Sequence, residues 1–237
     1  MRSATPRHLA MPAASSGLLM AVYLLARPYG DAGSSTSTAA AEAFASTWWV
    51  LAHLAGALAL VQQARVGLRI DDLLATTATR VARWAGLAGV ALVLPYYGPE
   101  TFGLHAIGRA GLSDPSVLPL VEDVRNHPAA QTTFGLGLLL LATSGIATAL
   151  AWRRAVRSGR LSSPAASAWP FALGTLLLAP QFFLPPEGRM AYGVLFAVAG
   201  MILAVAAWRA GQSPSVLRPR ETTFLSGAKT TDESLSS

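Results

Sequence analysis

Five side chains in this sequence join reactive chemistry to a telling position: His53, Glu100, His105, Gln181 and Arg189. His53 is an ionisable residue set deep inside an apolar run, nine residues after Phe44. A helix rises 1.5 Å per residue, so the imidazole stands about 13 Å along it, near the middle of an apolar layer about 30 Å thick. An imidazole there can carry a proton or ligate a metal, and polar groups in such surroundings usually face the protein interior and often mark function. The plainer reading is a neutral ring hydrogen-bonded to a neighbouring helix, at Thr143, Ser144 or Thr148. Trp49, Gly56, Ala57 and Leu60 share its helix face, and the two small residues would let another helix approach. Haem ligation would require a second axial ligand at matching depth. No other histidine lies in an apolar run, and no cofactor is implied.

Glu100 and His105 belong to the stretch YYGPETFGLHAIG, where an apolar segment ends on two tyrosines and two prolines and hands over to charge. Five residues apart on a continuous helix, they differ by about 140° and do not share a face. Asp123 and His127 are four apart, a spacing that can offer two ligands to one metal. Glu100, His105, Asp123 and His127 therefore form a conceivable metal-dependent site, although the set lacks the fixed pattern of H-E-x-x-H. The alternative is that all four are solvated loop residues. Gln181 and Arg189 flank the turn PQFFLPPEGRMAYG and could join Glu100 in a vestibule leading to His53. The plainer reading of Arg189 is an ion pair with Glu187 or Glu100 that fixes helix ends. The sequence holds no G-x-S-x-G elbow, no phosphate-cradling Gly-Lys loop and no cysteine, which removes thiol chemistry and disulfides together.

The elements that must position these residues are apolar. Of 237 residues, 52% are hydrophobic and only 13% charged, against about a quarter in ordinary soluble domains, and the mean hydropathy is +0.43. The pattern predicts an all-α fold, a polytopic bundle of six transmembrane helices: 9–26, 44–62, 82–98, 132–152, 165–184 and 190–208. Residues 1–8 form a cytoplasmic N-terminus, 9–210 the transmembrane domain and 211–237 a disordered cytoplasmic tail rich in Ser, Thr and charge. Residues 31–41 read as a loose linker. Cleavage of the first segment as a signal peptide is the alternative there, but no small-x-small site follows closely. The loop 99–128 carries a short interfacial helix: Ser113-Asp114-Pro115 is a helix start, and Val117, Leu118, Val121 and Val124 recur at helical spacing.

The net charge of +6 does not point to nucleic acid, because Lys and Arg divide 14 to 4 between alternate connections. That asymmetry puts both termini in the cytoplasm and the loop 99–128 outside, in a multi-pass protein of the cytoplasmic membrane. Gly193, Ala197, Gly200, Ala204 and Ala207 form a stripe of small residues on the last segment, a surface for close helix approach. With no catalytic motif present, this stripe favours a non-enzymatic component that binds membrane lipids, another membrane protein or a second copy of itself. A small-molecule carrier or sensor built on His53, and an outer-face metal enzyme, are the alternatives.

The stretches YYGPETFGLHAIG and PQFFLPPEGRMAYG, with the Ala/Arg-rich composition, resemble a group of small six-helix membrane proteins from high-GC actinobacteria. The likeness runs from about Leu9 to Gly211, with Glu100, Thr101, His105, Arg189 and Gly193 as the matching positions. It implies the six-helix topology. That group has no established activity, so no mechanism follows from it.

Overall fold

The computed structural model describes residues 5–212, and every regular element among them is helical. A 3-10 turn, Pro6–Leu9, leads into α1, Ala10–Ala26, which stops at Arg27 ahead of Pro28. The stretch expected to be a loose linker is ordered at its end into α2, Thr38–Ala45, because the Ser37 hydroxyl caps it by accepting from the Ala40 amide at 3.1 Å. Ser46 then breaks the helix and caps the next one, α3, Thr47–Leu74, so α2 and α3 meet at a bend of 65°.

At 28 residues α3 is far longer than the expected 44–62 and absorbs Arg65 and Arg69, which had been assigned to a connection. It ends at Ala75, whose φ of 49° lies in the left-handed region, and Thr76 caps α4, Thr77–Gly98. The chain does not leave the helix at Pro99. Pro95 and Pro99 lack the amide hydrogens an α-helix needs, and the backbone widens into one π-helical turn, Pro99–Gly103, before resuming as α5, Leu104–Gly111. Asp114 caps a 3-10 turn at Pro115–Val117, and α6, Leu120–Arg125, follows. The expected short helix of the loop is thus divided in two, with Leu118 and Val121 buried as its spacing required. The remaining helices are α7, Pro128–Arg157; α8, Trp169–Leu176; and α9, Pro186–Ala210.

Six full-length spans were expected, and the structure has fewer. Three helices are long and apolar enough to cross a membrane: Pro6–Ala26, Pro128–Arg157 and Pro186–Ala210. The bent pair α2 and α3 makes a fourth if counted as one span. In α4 the apolar stretch is shortened by Arg80 and Arg83 at one end and by prolines and tyrosines at the other. The expected fifth helix, 165–184, is broken. Residues 162–168 are irregular and turn, α8 lasts eight residues, and a 3-10 turn at Pro180–Phe183 follows, because Pro170 and Pro180 would each withdraw a hydrogen bond from a helix running through 165–184. The tail from residue 213 and residues 1–4 lie outside the described residues.

Helices α1 and α9 cross closely. A Cβ on Gly200 would stand 2.5 Å from the Ala13 carbonyl oxygen, and one on Gly17 would stand 2.7 Å from that of Phe196. The small-residue stripe of α9 is therefore occupied by α1 of the same chain. Gly89 and Gly137 play the same part between α4 and α7. Two ends result. At one, Arg7 lies over Trp208 and Arg160 donates to the Leu74 carbonyl. At the other, α2, α5 and α6 fold over the bundle on a small second core of Ala40, Phe44, Trp49, Leu104 and Val121.

Candidate functional site

At that end lies a cavity of about 540 Å³, a volume within the ~300–1,000 Å³ usual for small-molecule sites, with Arg125 of α6 the cap residue on its wall. Its wall combines α1 and its C-cap (Tyr23, Arg27), α3 (His53), α4 and the π-helical turn (Tyr97, Glu100), α6 (Arg125), α7 (Phe134) and the start of α9 (Arg189). Each of these positions follows from a local feature. Gly56 lies one turn below His53 and leaves room for the rings of Tyr23 and Tyr97, which a Cβ would meet at 3.0 and 3.2 Å. The π-helical turn aims the Glu100 side chain inward, and the Trp49 indole N–H donates to the Glu100 carbonyl at 2.8 Å, tying α3 to that turn. Arg125 comes one helical turn after the buried Val121, so the face that anchors α6 also carries the guanidinium.

The charges form a chain. Arg27 reaches Asp31 at 2.7 Å, Arg125 reaches the same Asp31 oxygen at 2.9 Å, and Arg125 forks onto both oxygens of Glu100 at 2.7 and 3.2 Å. The planar fork suits a carboxylate, and a pair removed from water is held only when such geometry is good. Burial by itself works to lower the pKa of Arg125, but Glu100 and Asp31 more than offset it and hold the guanidinium above its ordinary range. Arg27 and Arg125 also lie over Trp49, at 4.8 and 5.8 Å from the ring centre, so the indole is a floor for both cations.

His53 stands where this chain stops. Its side chain is 1% exposed, and its ring centre is 4.2 Å from that of Trp49 and 5.2 Å from that of Tyr23. Nδ1 lies 2.7 Å from the Trp49 carbonyl oxygen on its own helix. A carbonyl can only accept, so Nδ1 carries the hydrogen, and in the neutral ring Nε2 presents a lone pair. Nε2 has no hydrogen-bond partner and is 3.9 Å from Glu100 Oε1, beyond hydrogen-bonding distance. Two of the three neighbours expected for His53 are engaged elsewhere, Ser144 donating to the Ala82 carbonyl and Thr143 to that of Leu139, and Thr148 makes no bond to it.

The sequence-derived candidates separate into two groups. His53, Glu100 and Arg189 line the cavity together. Arg189 does not pair with Glu187 or Glu100 as the plainer reading had it; it donates to the carbonyls of Phe182 and Leu184. Gln181 is buried, but is not part of the cavity wall. His105 is turned aside, its Nδ1 2.9 Å from the Phe44 carbonyl, where it joins α5 to α2. Asp123 and His127 are exposed, and among the described residues no three His, Asp or Glu side chains gather so as to hold a metal ion. Arg27, Asp31 and Arg125 are not among the sequence-derived candidates, because in sequence all three fall in connections between apolar runs. Signals for them existed: Arg27 and Asp31 are four apart, and Arg125 shares the apolar face predicted for its helix.

The fold and site define an all-helical protein with at least three helices fit to cross a membrane and a polar, aromatic cavity at one end of the bundle. No family model, curated protein or solved structure matches this chain.

Proposed function

We propose that this chain is an integral membrane protein that binds a small molecule in the cavity at its capped end, as a carrier or a sensor, with His53 as the deepest recognition group. The observation that carries the reading is the buried, unpartnered Nε2 of His53 on the wall of an aromatic cavity that also holds two carboxylates and three arginines. Burying a polar atom without a partner costs about 1–3 kcal/mol, a cost that a water, an ion or a ligand in the cavity offsets by supplying the missing partner. A non-enzymatic partner-binding role resting on the small-residue stripe has less support, since α1 covers that stripe.

In this reading all six apolar segments lie in the bilayer. Val81, Trp84 and Leu94 of α4 and Leu173 and Leu176 of α8 are exposed apolar side chains that lipid would cover. The arginine asymmetry directs the cavity outward and both termini into the cytoplasm. Because the chain has no cysteine, single cysteines report topology without background. His127→Cys should react with an impermeant maleimide on intact cells and Ser158→Cys only after lysis; the reverse pattern rejects this orientation. The function itself is tested by mass spectrometry of small molecules that co-purify with the detergent-extracted protein. A stoichiometric molecule should accompany the wild type and be lost from His53→Ala. Finding no such molecule with either protein, or equal retention by both, counts against the reading.

A further inference from the structure

We propose, building on that reading, that the cavity selects a zwitterionic amphiphile: a primary ammonium donating to the His53 and Glu100 acceptors, an anionic group at Arg189, and an apolar body leaving by the mouth. Three observations argue for it. First, the cavity wall presents acceptor capacity that its own donors leave unused, although Glu100 Oε1 accepts from Arg125. His53 Nε2 offers a lone pair, Glu100 Oε1 stands 3.9 Å away, and Asp31 Oδ1 is likewise buried without a partner. Two acceptors at that separation cannot bond to each other, but one N–H-bearing group between them can donate to both.

Second, the cavity's cations are unevenly matched. Arg27 and Arg125 are paired with Asp31 and Glu100, whereas Arg189 donates to backbone carbonyls and lies over the Phe182 ring, and no carboxylate lies within ion-pair distance of it among the described residues. A lone cation on the ligand would meet this arginine unfavourably. A ligand carrying both an ammonium and an anion satisfies both ends. Third, the mouth is apolar: Phe183 is 90% exposed and Leu184 43% exposed, both on the cavity wall. The same headgroup chemistry can come from a lipid, phosphatidylethanolamine, or from a free molecule such as O-phosphoethanolamine.

The test is native mass spectrometry of the full chain released from mixed micelles holding equal phosphatidylethanolamine, phosphatidylcholine and phosphatidylglycerol of the same acyl length, with O-phosphoethanolamine as competitor. Phosphatidylcholine keeps the positive charge but has no N–H, and phosphatidylglycerol keeps the anion but has no ammonium. Retention of phosphatidylethanolamine should exceed that of either by about tenfold, the factor expected of one charge-assisted hydrogen bond. His53→Ala and Arg189→Gln should each remove most of that preference, with melting in detergent checking that each variant folds. Displacement by O-phosphoethanolamine, or its binding where the lipid does not bind, supports the same chemistry and assigns it to a free ligand. Equal retention of phosphatidylcholine overturns the donor role, and equal retention of phosphatidylglycerol overturns the ammonium. Binding of neither probe overturns the proposal. If a different molecule then co-purifies and depends on His53, only the ligand class is wrong and the binding function stands.

Discussion

The two ends of the bundle treat arginine in opposite ways. At the end without the cap, Arg65, Arg80, Arg154, Arg157 and Arg160 stand exposed, and the pair of Arg69 with Asp72 at 3.1 Å is open to water, while Arg83 reaches the more covered Asp71 at 3.4 Å. At the capped end Arg27 is 7% exposed and Arg125 is largely covered, and each is held by a carboxylate and laid over an aromatic ring. A charge in water needs no particular partner, so the first set is free to vary in geometry. A charge removed from water does need one, so the second set fixes the positions of four separate elements. In the proposed reading the exposed arginines serve as signals of orientation, and the buried ones shape the cavity.

The largest effect that can break this contrast is Arg125→Met. It leaves Glu100 and Asp31 covered without their shared cation, and removing one partner of such a set costs about 3–5 kcal/mol, read as a large drop in melting temperature in detergent. Adding Glu100→Gln to Arg125→Met should restore part of that loss, because the stranded charge is removed. A smaller effect is expected for Trp49→Phe. It keeps the ring under the arginines but leaves the Glu100 carbonyl without its donor, at a cost of about 1–3 kcal/mol. The smallest effect belongs to the other end. Arg154→Gln with Arg157→Gln should shift stability by less than about 0.5 kcal/mol, since both side chains are exposed. A loss there as large as that of Arg125→Met would erase the distinction between the ends.

How much of this was legible beforehand depended on how local the cause was. The apolar runs and the Asp114 helix start are properties of a few consecutive residues, and they led to the right class of element. The lengths failed where a break or an extension had a distant or subtle cause. Nothing in 63–74 forbids helix, so α3 ran on, and Pro170 and Pro180 turned the expected fifth span into a short helix flanked by turns. In the site, the face His53 shares with Trp49 came from helical periodicity alone, but the depth counted from Phe44 did not carry over, because Phe44 belongs to α2 and α3 starts at Thr47 beyond the 65° bend. The pairing of Glu100 with Arg125, and of Arg125 with Asp31 94 residues earlier, depends on how the cap folds back over the bundle. Periodicity within one segment carries no record of that. The His105 contact with Phe44 is of the same kind, and it draws the histidine away from the metal cluster that spacing had suggested.

Cysteine reactivity at position 53 tests the central claim, that His53 faces a cavity and is not merely packed in a core, most directly. His53→Cys places the only thiol of the chain on the cavity wall, and Leu141→Cys places one in a fully buried position between α4 and α7. With the folded protein in detergent, a small methanethiosulfonate reagent should modify position 53 and leave position 141 untouched until the chain is unfolded. Equal protection of the two positions would mean that the cavity does not reach His53 and would contradict the account.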